Sequence, residues 1–161
     1  MKIKVKICKN KNNGILPRII KKGDWIDLYC FIDNKDKKIK YKTGEAGLIH
    51  LGVTIQLPKG YEALVVPRSS TFRKYGIIQT NSVGVIDNSY CGNEDWWHFP
   101  YFALNDGEIK DGERICQFRI QLSQKATFWQ KIKWLFSSKI EITEVDNLIS
   151  PNRGGFGTTG N

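Results

Sequence analysis

Apolar and polar residues alternate along much of the chain. Residues 2–8 read Lys-Ile-Lys-Val-Lys-Ile-Cys, and residues 113–120 place apolar side chains at every second position in the same way. A period of two is the repeat of a β-strand with one buried face. Further short apolar runs, separated by turn residues, lie at residues 23–30, 48–57, 61–66, 96–104 and 141–148. Short strands at such close spacing predict an all-β fold, a β-barrel or jelly roll.

One segment, residues 123–138, departs from this period. Its large apolar side chains recur at helical spacing on one face, at Phe128, Trp129, Ile132, Leu135 and Phe136. This pattern predicts one short amphipathic helix added to the barrel. We expect its apolar face to pack against the β-core or a neighbouring subunit, with a membrane or partner surface as the alternative.

Pro, Gly and charged residues refine the outline. Pro100 lacks an N–H, so we expect an edge or bulged strand at residues 96–104, and residues 33–44 read as a polar connection. The chain ends in a Gly-rich stretch that is too poor in apolar residues to pack alone. We therefore expect a β-barrel domain over residues 1–150 and a flexible C-terminal arm over residues 151–161.

Composition and charge add bounds. With 161 residues one domain is expected, and a net charge of +9 suits an anionic partner without identifying it. The four cysteines include no Cys-x-x-Cys pair and there are only two histidines, which argues against a zinc site or disulfide scaffold and favours free buried thiols. No apolar run approaches the ~20 residues of a membrane span. We expect a cytoplasmic protein that does not associate with a membrane.

The chemically richest stretch is residues 75–92. Two β-branched runs flank Thr80-Asn81-Ser82, which predicts a β-hairpin. An amide at Asn81, a glycine at Gly84, a carboxylate at Asp87 and a ring at Tyr90 follow in order. Such a hairpin can hold a flat, hydrogen-bonding ring, with the carboxylate acting on a neighbouring reacting atom. The alternative is an ordinary surface hairpin whose Asn and Asp serve the turns.

Three further places suggest phosphate chemistry. Residues 67–71, Pro-Arg-Ser-Ser-Thr, suit binding of phosphate oxygens, or alternatively the start of a single helical turn at residues 71–75. Asp27 lies among apolar neighbours, so it must be paired, bound to a cation or turned outward. The tail at residues 153–159 suits a flap over a ring and its phosphates, or a plain disordered tail.

Together these segments resemble the trimeric dUTP pyrophosphatase (dUTPase) family, and the motif sequences are similar to those of dUTPases from Gram-positive bacteria and their prophages. The family's five ordered motifs are matched by Asp24-Trp25-Ile26-Asp27-Leu28, Pro67-Arg68-Ser69-Ser70, Asn81 to Gly92, Gly112-Glu113-Arg114-Ile115-Cys116-Gln117, and Arg153 to Gly160. The resemblance implies a distorted jelly roll and a Mg²⁺-assisted hydrolysis of dUTP to dUMP and pyrophosphate.

Roles at the base and sugar follow from the resemblance. It implies that uracil is bound in a base-pair-like fashion by Asn81 with Gly84, Val85 and Ile86, and that Tyr90 lies against the deoxyribose. It implies that Asp87 contacts the sugar 3′-hydroxyl and orients or deprotonates the water that attacks the α-phosphorus.

The resemblance also implies roles at the phosphates. The phosphate chain is then held by Arg68, Ser69, Ser70 and Gln117, and Asp27 supports Mg²⁺ through water. In a homotrimer the C-terminal arm is exchanged between subunits, which brings Arg153, Phe156, Gly157, Thr158 and Thr159 to a neighbour's site. Phe156 covers the uracil there.

Other functions compete with this one. A dCTP deaminase shares the fold but needs a glutamate on the strand after the hairpin, and residues 96–104 contain none. A regulatory protein-binding role, known for phage members of the family, would use the added helix. A nucleic-acid-binding barrel is disfavoured because the aromatic residues are not interleaved with Lys and Arg.

Overall fold

The computed structural model describes residues 2–9, 14–19, 23–137 and 139–155, with the backbone alone for residues 2–5 and Cys8. Strands and two short helices succeed one another as β1 (Lys2–Lys9), β2 (Ile26–Tyr29), β3 (Lys38–Tyr41), β4 (Ala46–His50), β5 (Val53–Gln56), β6 (Tyr61–Pro67), α1 (Thr71–Tyr75), β7 (Ile77–Gln79), β8 (Gly84–Asp87), β9 (His98–Ala103), β10 (Gly107–Lys110), β11 (Arg114–Leu122), α2 (Phe128–Leu135) and β12 (Lys139–Glu144). The predicted all-β fold with one added short helix is confirmed.

The strands form four small sheets around one core. Their orders are β12-β1-β5, β10-β3, β2-β11-β6-β8 and β4-β9-β7, and among the described strands only β1 and β12 pair in parallel. Alternation turns one face of strands such as β9 and β11 inward, so that Phe99 and Phe118 are wholly buried, as is Trp97 just before β9. The longest ladder, between β6 and β11, carries one end of the candidate site described below.

The predicted hairpin at residues 76–86 is wrong as a strand pair. The chain does turn at residues 80–82, where Ser82 adopts a left-handed φ of 57°. However, β7 pairs with β9 and β8 pairs with β6, so the two strands diverge into different sheets. Each strand has a longer partner elsewhere, and pairing with it extends a face that is already buried against the core.

Two other strand predictions need correction. Residues 48–57 form two strands, because the chain bends at Gly52, whose φ is +68° and where a Cβ would lie 2.9 Å from the Cβ of Phe31. Residues 33–44 contain β3, which pairs with β10 and is not merely a polar connection. Alternating lysines concealed this strand, since only its alternate side chains face inward.

The edge position predicted from Pro100 is also wrong, because β9 is the central strand of its sheet. Pro100 lies opposite Leu48 of β4, while β7 ends at Gln79 before it reaches the proline. The Pro100 carbonyl still accepts a hydrogen bond from Thr80 N–H at 3.2 Å. The missing N–H therefore falls beyond the end of the β7 ladder, where it interrupts no strand pairing.

The helix α2 forms where predicted but packs through a different face. Thr127 and Gln130 form a reciprocal capping box, which fixes its first turn. Trp134 packs against Tyr61 in a tilted arrangement, with ring centroids 5.6 Å apart. The face predicted to pack on the core is exposed in this chain, as the 75% exposure of Trp129 illustrates.

The thiols and the membrane expectation can be compared with the described part of the chain. Cys30, Cys91 and Cys116 are free and buried, as predicted. Burial is the main cause that raises the pKa of Cys30 and Cys116 far above the ordinary thiol value. Among the described residues, no helix has the length and apolar character that crossing a bilayer requires.

Candidate active site

A slot of about 260 Å³ lies between β8, the end of β6 and the aromatic residues that precede β9. Its walls are formed by backbone and side chains of Val65, Asn81, Gly84, Val85, Ile86, Tyr90, Trp96, Trp97, His98 and residues 153–155. All the residues that the sequence predicted for base binding on β8 and its preceding turn therefore lie together here. A small, half-enclosed slot with both apolar rings and an amide suits a flat heterocycle.

A buried glutamine, Gln79, contacts two residues that line the slot, Val65 and Asn81. Gln79 is only 7% exposed, and its Nε2 donates hydrogen bonds to the Val65 carbonyl at 3.2 Å and to Asn81 Oδ1 at 2.7 Å. Gly84 leaves the room, because a Cβ there would lie 3.5 Å from the Gln79 Nε2 and 3.3 Å from the Val65 Cβ. The glycine thus serves close packing of β8 against β6.

Asp87 lies at the exit of the slot, at the end of β8. Its Oδ1 accepts hydrogen bonds from Ser89 N at 2.8 Å and Ser89 Oγ at 2.5 Å, and its Oδ2 pairs with Arg153 at 3.0 Å. Burial by itself raises the pKa of Asp87, but these Ser89 hydrogen bonds and the Arg153 guanidinium outweigh it and hold the pKa below its ordinary value. The carboxylate is therefore an ionised acceptor at neutral pH.

A second carboxylate, Asp95, fastens the C-terminal arm to this site. It is 1% exposed and accepts hydrogen bonds from the backbone N–H groups of Gly92, Arg153 and Gly154 at 2.8 to 3.1 Å. Although burial raises the pKa of Asp95, the backbone N–H groups outweigh burial and lower it overall. Tyr90 supports the same wall, since its hydroxyl donates to the Trp96 carbonyl at 2.8 Å.

The described part of the arm lies over the slot of its own chain. Its backbone passes close to Tyr90, because a Cβ on Gly155 would lie 3.1 Å from the tyrosine ring. Exchange of the arm between subunits therefore stays a prediction. The predicted contacts of Phe156, Gly157, Thr158 and Thr159 lie outside the described residues.

The residues predicted to bind phosphate form a separate group on β2, β11 and the end of β6. Asp27 lies opposite Gln117, and its two carboxylate oxygens pair with Arg68 at 2.8 Å and with Arg114 at 2.9 Å. Gln117 Nε2 lies 3.5 Å from the Pro67 carbonyl. The predicted helical turn, α1, follows at once, with Ser70 as its N-cap residue and Ser69 next to it.

These two groups do not meet within one chain. Asp87 is in register with Glu62 of β6, and Arg68 follows six residues further along, so at about 3.3 Å per residue they are roughly 20 Å apart. Gly84, in register with Val65, lies between them. We refer to the slot with Asp87 as the base half-site, and to Asp27, Arg68, Ser69, Ser70 and Gln117 as the phosphate half-site.

Comparison with known proteins identifies the family of this chain. The model of the dUTPase family matches residues 31–133. A prophage-derived deoxyuridine 5′-triphosphate nucleotidohydrolase, YosS of Bacillus subtilis, is 46% identical over 160 residues, which cover 99% of each chain. The chain belongs to the dUTPase family. The deoxyuridine 5′-triphosphate nucleotidohydrolase of Finegoldia magna is another dUTPase relative, 36% identical over 98% of this chain and 99% of its own length.

Solved dUTPase structures share the fold. The crystal structure of dUTPase from Streptococcus mutans has a TM-score of 0.64 and 23% identity, and the match covers 76% of this chain and 98% of that one. The dUTPase of Staphylococcus bacteriophage 80alpha has a TM-score of 0.61 over 77% of this chain and 93% of its own, at 18% identity. The family and the enzyme class predicted from the five motifs are thereby confirmed.

The dUTPase resemblance also implied Mg²⁺, which can be tested against the donor groups. Both oxygens of Asp27 already accept from arginines, and within the described ranges no three His, Cys, Asp or Glu side chains come together as a metal site. This donor set does not fit a Mg²⁺ ion held by the protein, which prefers an octahedral shell of oxygens. The metal role of Asp27 stays a prediction.

Proposed function

We propose that this member of the dUTPase family hydrolyses dUTP to dUMP and pyrophosphate, with the uracil in the slot and Asp87 beside the α-phosphorus. The observation that carries the proposal is the slot itself, which ends at an ionised carboxylate. The slot suits one flat ring bound by the Asn81 amide and the backbone of β8. Tyr90 then lies where the deoxyribose leaves the slot.

Asp87 supplies the acceptor for the attacking water. One lone pair of the water forms the new bond to the α-phosphorus, the bond to the bridging oxygen breaks, and pyrophosphate leaves with that oxygen. The water's proton passes to Asp87 and then to solvent. Because Asp87 is a weak base, the main contribution is positioning, with charge neutralised by Arg68 and by Arg153.

A complete site requires more than one chain. A nucleotide that places its base at Gly84 and its α-phosphorus at Asp87 directs its phosphates away from Arg68 of the same chain. The phosphate half-site must therefore come from a neighbouring subunit. An exposed apolar face on the β4-β9-β7 sheet, with Leu48 and Ile78 each more than 40% exposed, offers an interface. Together with the family resemblance, this supports a homotrimer.

The arm completes the proposed site. Asp95 can hold the backbone of residues 153–154 whether the arm belongs to the same chain or to a neighbour. The arm then brings Phe156 over the uracil, and Gly157, Thr158 and Thr159 close on the phosphates. This places a Gly-rich flap next to the β-barrel, as the division at residue 150 predicts.

Magnesium is best assigned to the substrate. A structural Mg(II) ion is described for the dUTPase of Staphylococcus aureus phage phi11. Because the donor groups in the described ranges do not form a metal shell of their own, we assign Mg²⁺ to the triphosphate that enters the site. Asp27 then acts by holding Arg68 in place and contacts the ion only through water.

A regulatory protein partner is the second candidate function. Phage dUTPases, including that of bacteriophage 80alpha, are described as controlling the transfer of virulence genes. In this chain Phe128, Trp129, Leu135 and Phe136 are exposed on and just after α2, a surface suited to protein contact. Deleting residues 125–138 should abolish such binding while dUTP turnover survives. The deaminase alternative is not favoured, since β9 carries no glutamate.

Product chromatography tests the proposed function. Purified protein is incubated with Mg²⁺ and, separately, with dUTP, dCTP, dTTP and UTP, and Asp87→Asn is treated in parallel. We expect dUTP alone to yield a monophosphate and pyrophosphate, and the variant to yield neither. Release of ammonia from dCTP would instead identify a deaminase, and no consumption at all would favour the binding role.

A further inference from the structure

The buried amide of Gln79 occupies an unusual position for a side chain on a short strand. It is 7% exposed on β7, it faces inward like Ile77, and its Nε2 contacts two different acceptors. Its own Oε1 has no hydrogen-bond partner within the described structure. A buried amide oxygen without a partner is costly, so the orientation of this amide must be dictated by what its nitrogen contacts.

The Val65 carbonyl fixes which way the Gln79 amide points. A backbone carbonyl only accepts hydrogen bonds, so the NH₂ group must face it; the flipped amide would bring two oxygens together. The second hydrogen of the same NH₂ group then points to Asn81 Oδ1 at 2.7 Å. The backbone of β6 thus sets the orientation of the Gln79 amide, and Gln79 in turn sets the orientation of the Asn81 amide.

The consequence for Asn81 is that its two polar atoms are no longer equivalent. Its Oδ1 is engaged by Gln79, and none of the described residues engages its Nδ2. Asn81 lines the slot, so the group it offers to a ligand is an NH₂ donor. An amide that rotates freely would offer either a donor or an acceptor.

We propose that Gln79 is a positioning residue that locks Asn81 as a hydrogen-bond donor. The slot then selects a pyrimidine with a carbonyl group at the ring position that faces Asn81 over one with an amino group at that position. Uracil carries a carbonyl oxygen at the ring position where cytosine carries an amino group. A fixed donor binds the first and meets the hydrogens of the second. This inference rests on the proposed binding of uracil in the slot.

The test is a double-mutant cycle on substrate selectivity. Gln79→Met keeps the side-chain volume and removes the donors, and Asn81→Ala removes the group on which Gln79 acts. We measure kcat/KM by pyrophosphate release for the wild type, both single variants and the double variant, with dUTP and, at much higher enzyme concentration and longer incubation that reveal slow turnover, with dCTP. Gln56→Met is the matched control. Gln56 lies on β5, in a different sheet from Gln79, and the substitution removes one hydrogen bond, to Ser150.

We expect the ratio of kcat/KM for dUTP over dCTP to fall roughly three- to tenfold in Gln79→Met, since one net hydrogen bond to the ring carbonyl is at stake. Gln56→Met should retain the ratio. In the Asn81→Ala background, Gln79→Met should change the ratio no further. Equal losses for both substrates would indicate a purely structural role and would overturn the proposal, as would the same fall in ratio with and without Asn81.

A second variant covers the case that Gln79→Met does not fold. Gln79→Glu has the same shape but presents an acceptor, so Asn81 should turn its NH₂ towards residue 79 and its oxygen into the slot. The ratio should then fall further than in Gln79→Met; an unchanged ratio would refute the inference. Binding titrations of each variant with dUMP and dCMP give an independent readout of base selectivity. Absence of wild-type turnover would therefore contradict the proposed function, while the titrations would still test the inference.

Discussion

Removing the Asp95 carboxylate should release the C-terminal arm. In Asp95→Ala, the N–H groups of Arg153 and Gly154 lose the buried acceptor that holds them at 2.9 to 3.1 Å. A hydrogen bond to a charged group contributes about 1.5–3 kcal/mol net. Two such bonds amount to at least about 3 kcal/mol, which shifts the equilibrium between closed and open arm on the order of 100-fold.

Limited proteolysis with trypsin measures this equilibrium directly, because the enzyme cleaves after Arg153 only when the arm is open. The rate of release of the C-terminal peptide, followed by mass spectrometry, should rise on the order of 100-fold in Asp95→Ala when cleavage is slow relative to reclosing. Glu94→Ala is the matched control, since the exposed Glu94 carboxylate contacts Trp96 Nε1 at 3.2 Å and not the arm. Equal cleavage rates in the wild type and Asp95→Ala would refute the role of Asp95.

Three further predictions follow from other contacts. Asp27→Asn should lower kcat/KM for dUTP about tenfold or more, because Arg68 loses its partner, while a Mg²⁺ titration shows the same half-saturating concentration as the wild type. Burial, and secondarily His98, lowers the pKa of His50 to about 4. The unfolded chain therefore binds a proton on His50 more readily than the folded chain, so the stability measured in urea should fall as pH drops from about 6.5 towards about 4. The fall should be smaller in His50→Gln. Trp134→Ala should lower the melting temperature because it removes the contact with Tyr61, whereas Leu135→Ser, at a position 77% exposed, should change it little.

The arm clamp also has a pH dependence with a definite sign. The pKa of Asp95 lies below its ordinary value, so its contribution is fully present above about pH 4 and is lost as pH falls through the lowered pKa. Tryptic release after Arg153 cannot be followed in acid, but hydrogen exchange of the Gly154 amide can. Exchange protection that persists unchanged to the acid unfolding transition would contradict this reasoning.

Alternation predicted individual strands well but not their partners. A strand such as β11 has one largely buried face, and that local pattern is visible in the sequence. The choice of β9 for β7, and of β6 for β8, depends on residues far along the chain and is invisible locally. The edge position predicted from Pro100 is wrong for the same reason, because the effect of the proline depends on where a neighbouring strand ends.

The site shows a similar division. Asn81, Gly84 and Tyr90 lie close in sequence and form one slot, as their spacing predicts. Gln79 and Asp95 were missed, because a polar residue beside β-branched ones and an acid in a turn are both ordinary patterns. The available signal for Gln79 is its parity with Ile77, which places an amide on the inward face of a strand. No local pattern reveals how far apart the two half-sites lie within the chain, because their separation follows from the β6–β8 register.

The most direct test of the composite site is subunit complementation between Asp87→Asn and Arg68→Ala, each inactive alone. The two variants are mixed in equal amounts, dissociated, reassembled and assayed with dUTP. If each site takes its base half-site from one subunit and its phosphate half-site from the next, every mixed trimer contains one intact site, and about a quarter of wild-type activity should return. If both half-sites act within one chain, no mixed trimer contains an intact site, and the absence of any recovered activity would contradict the account.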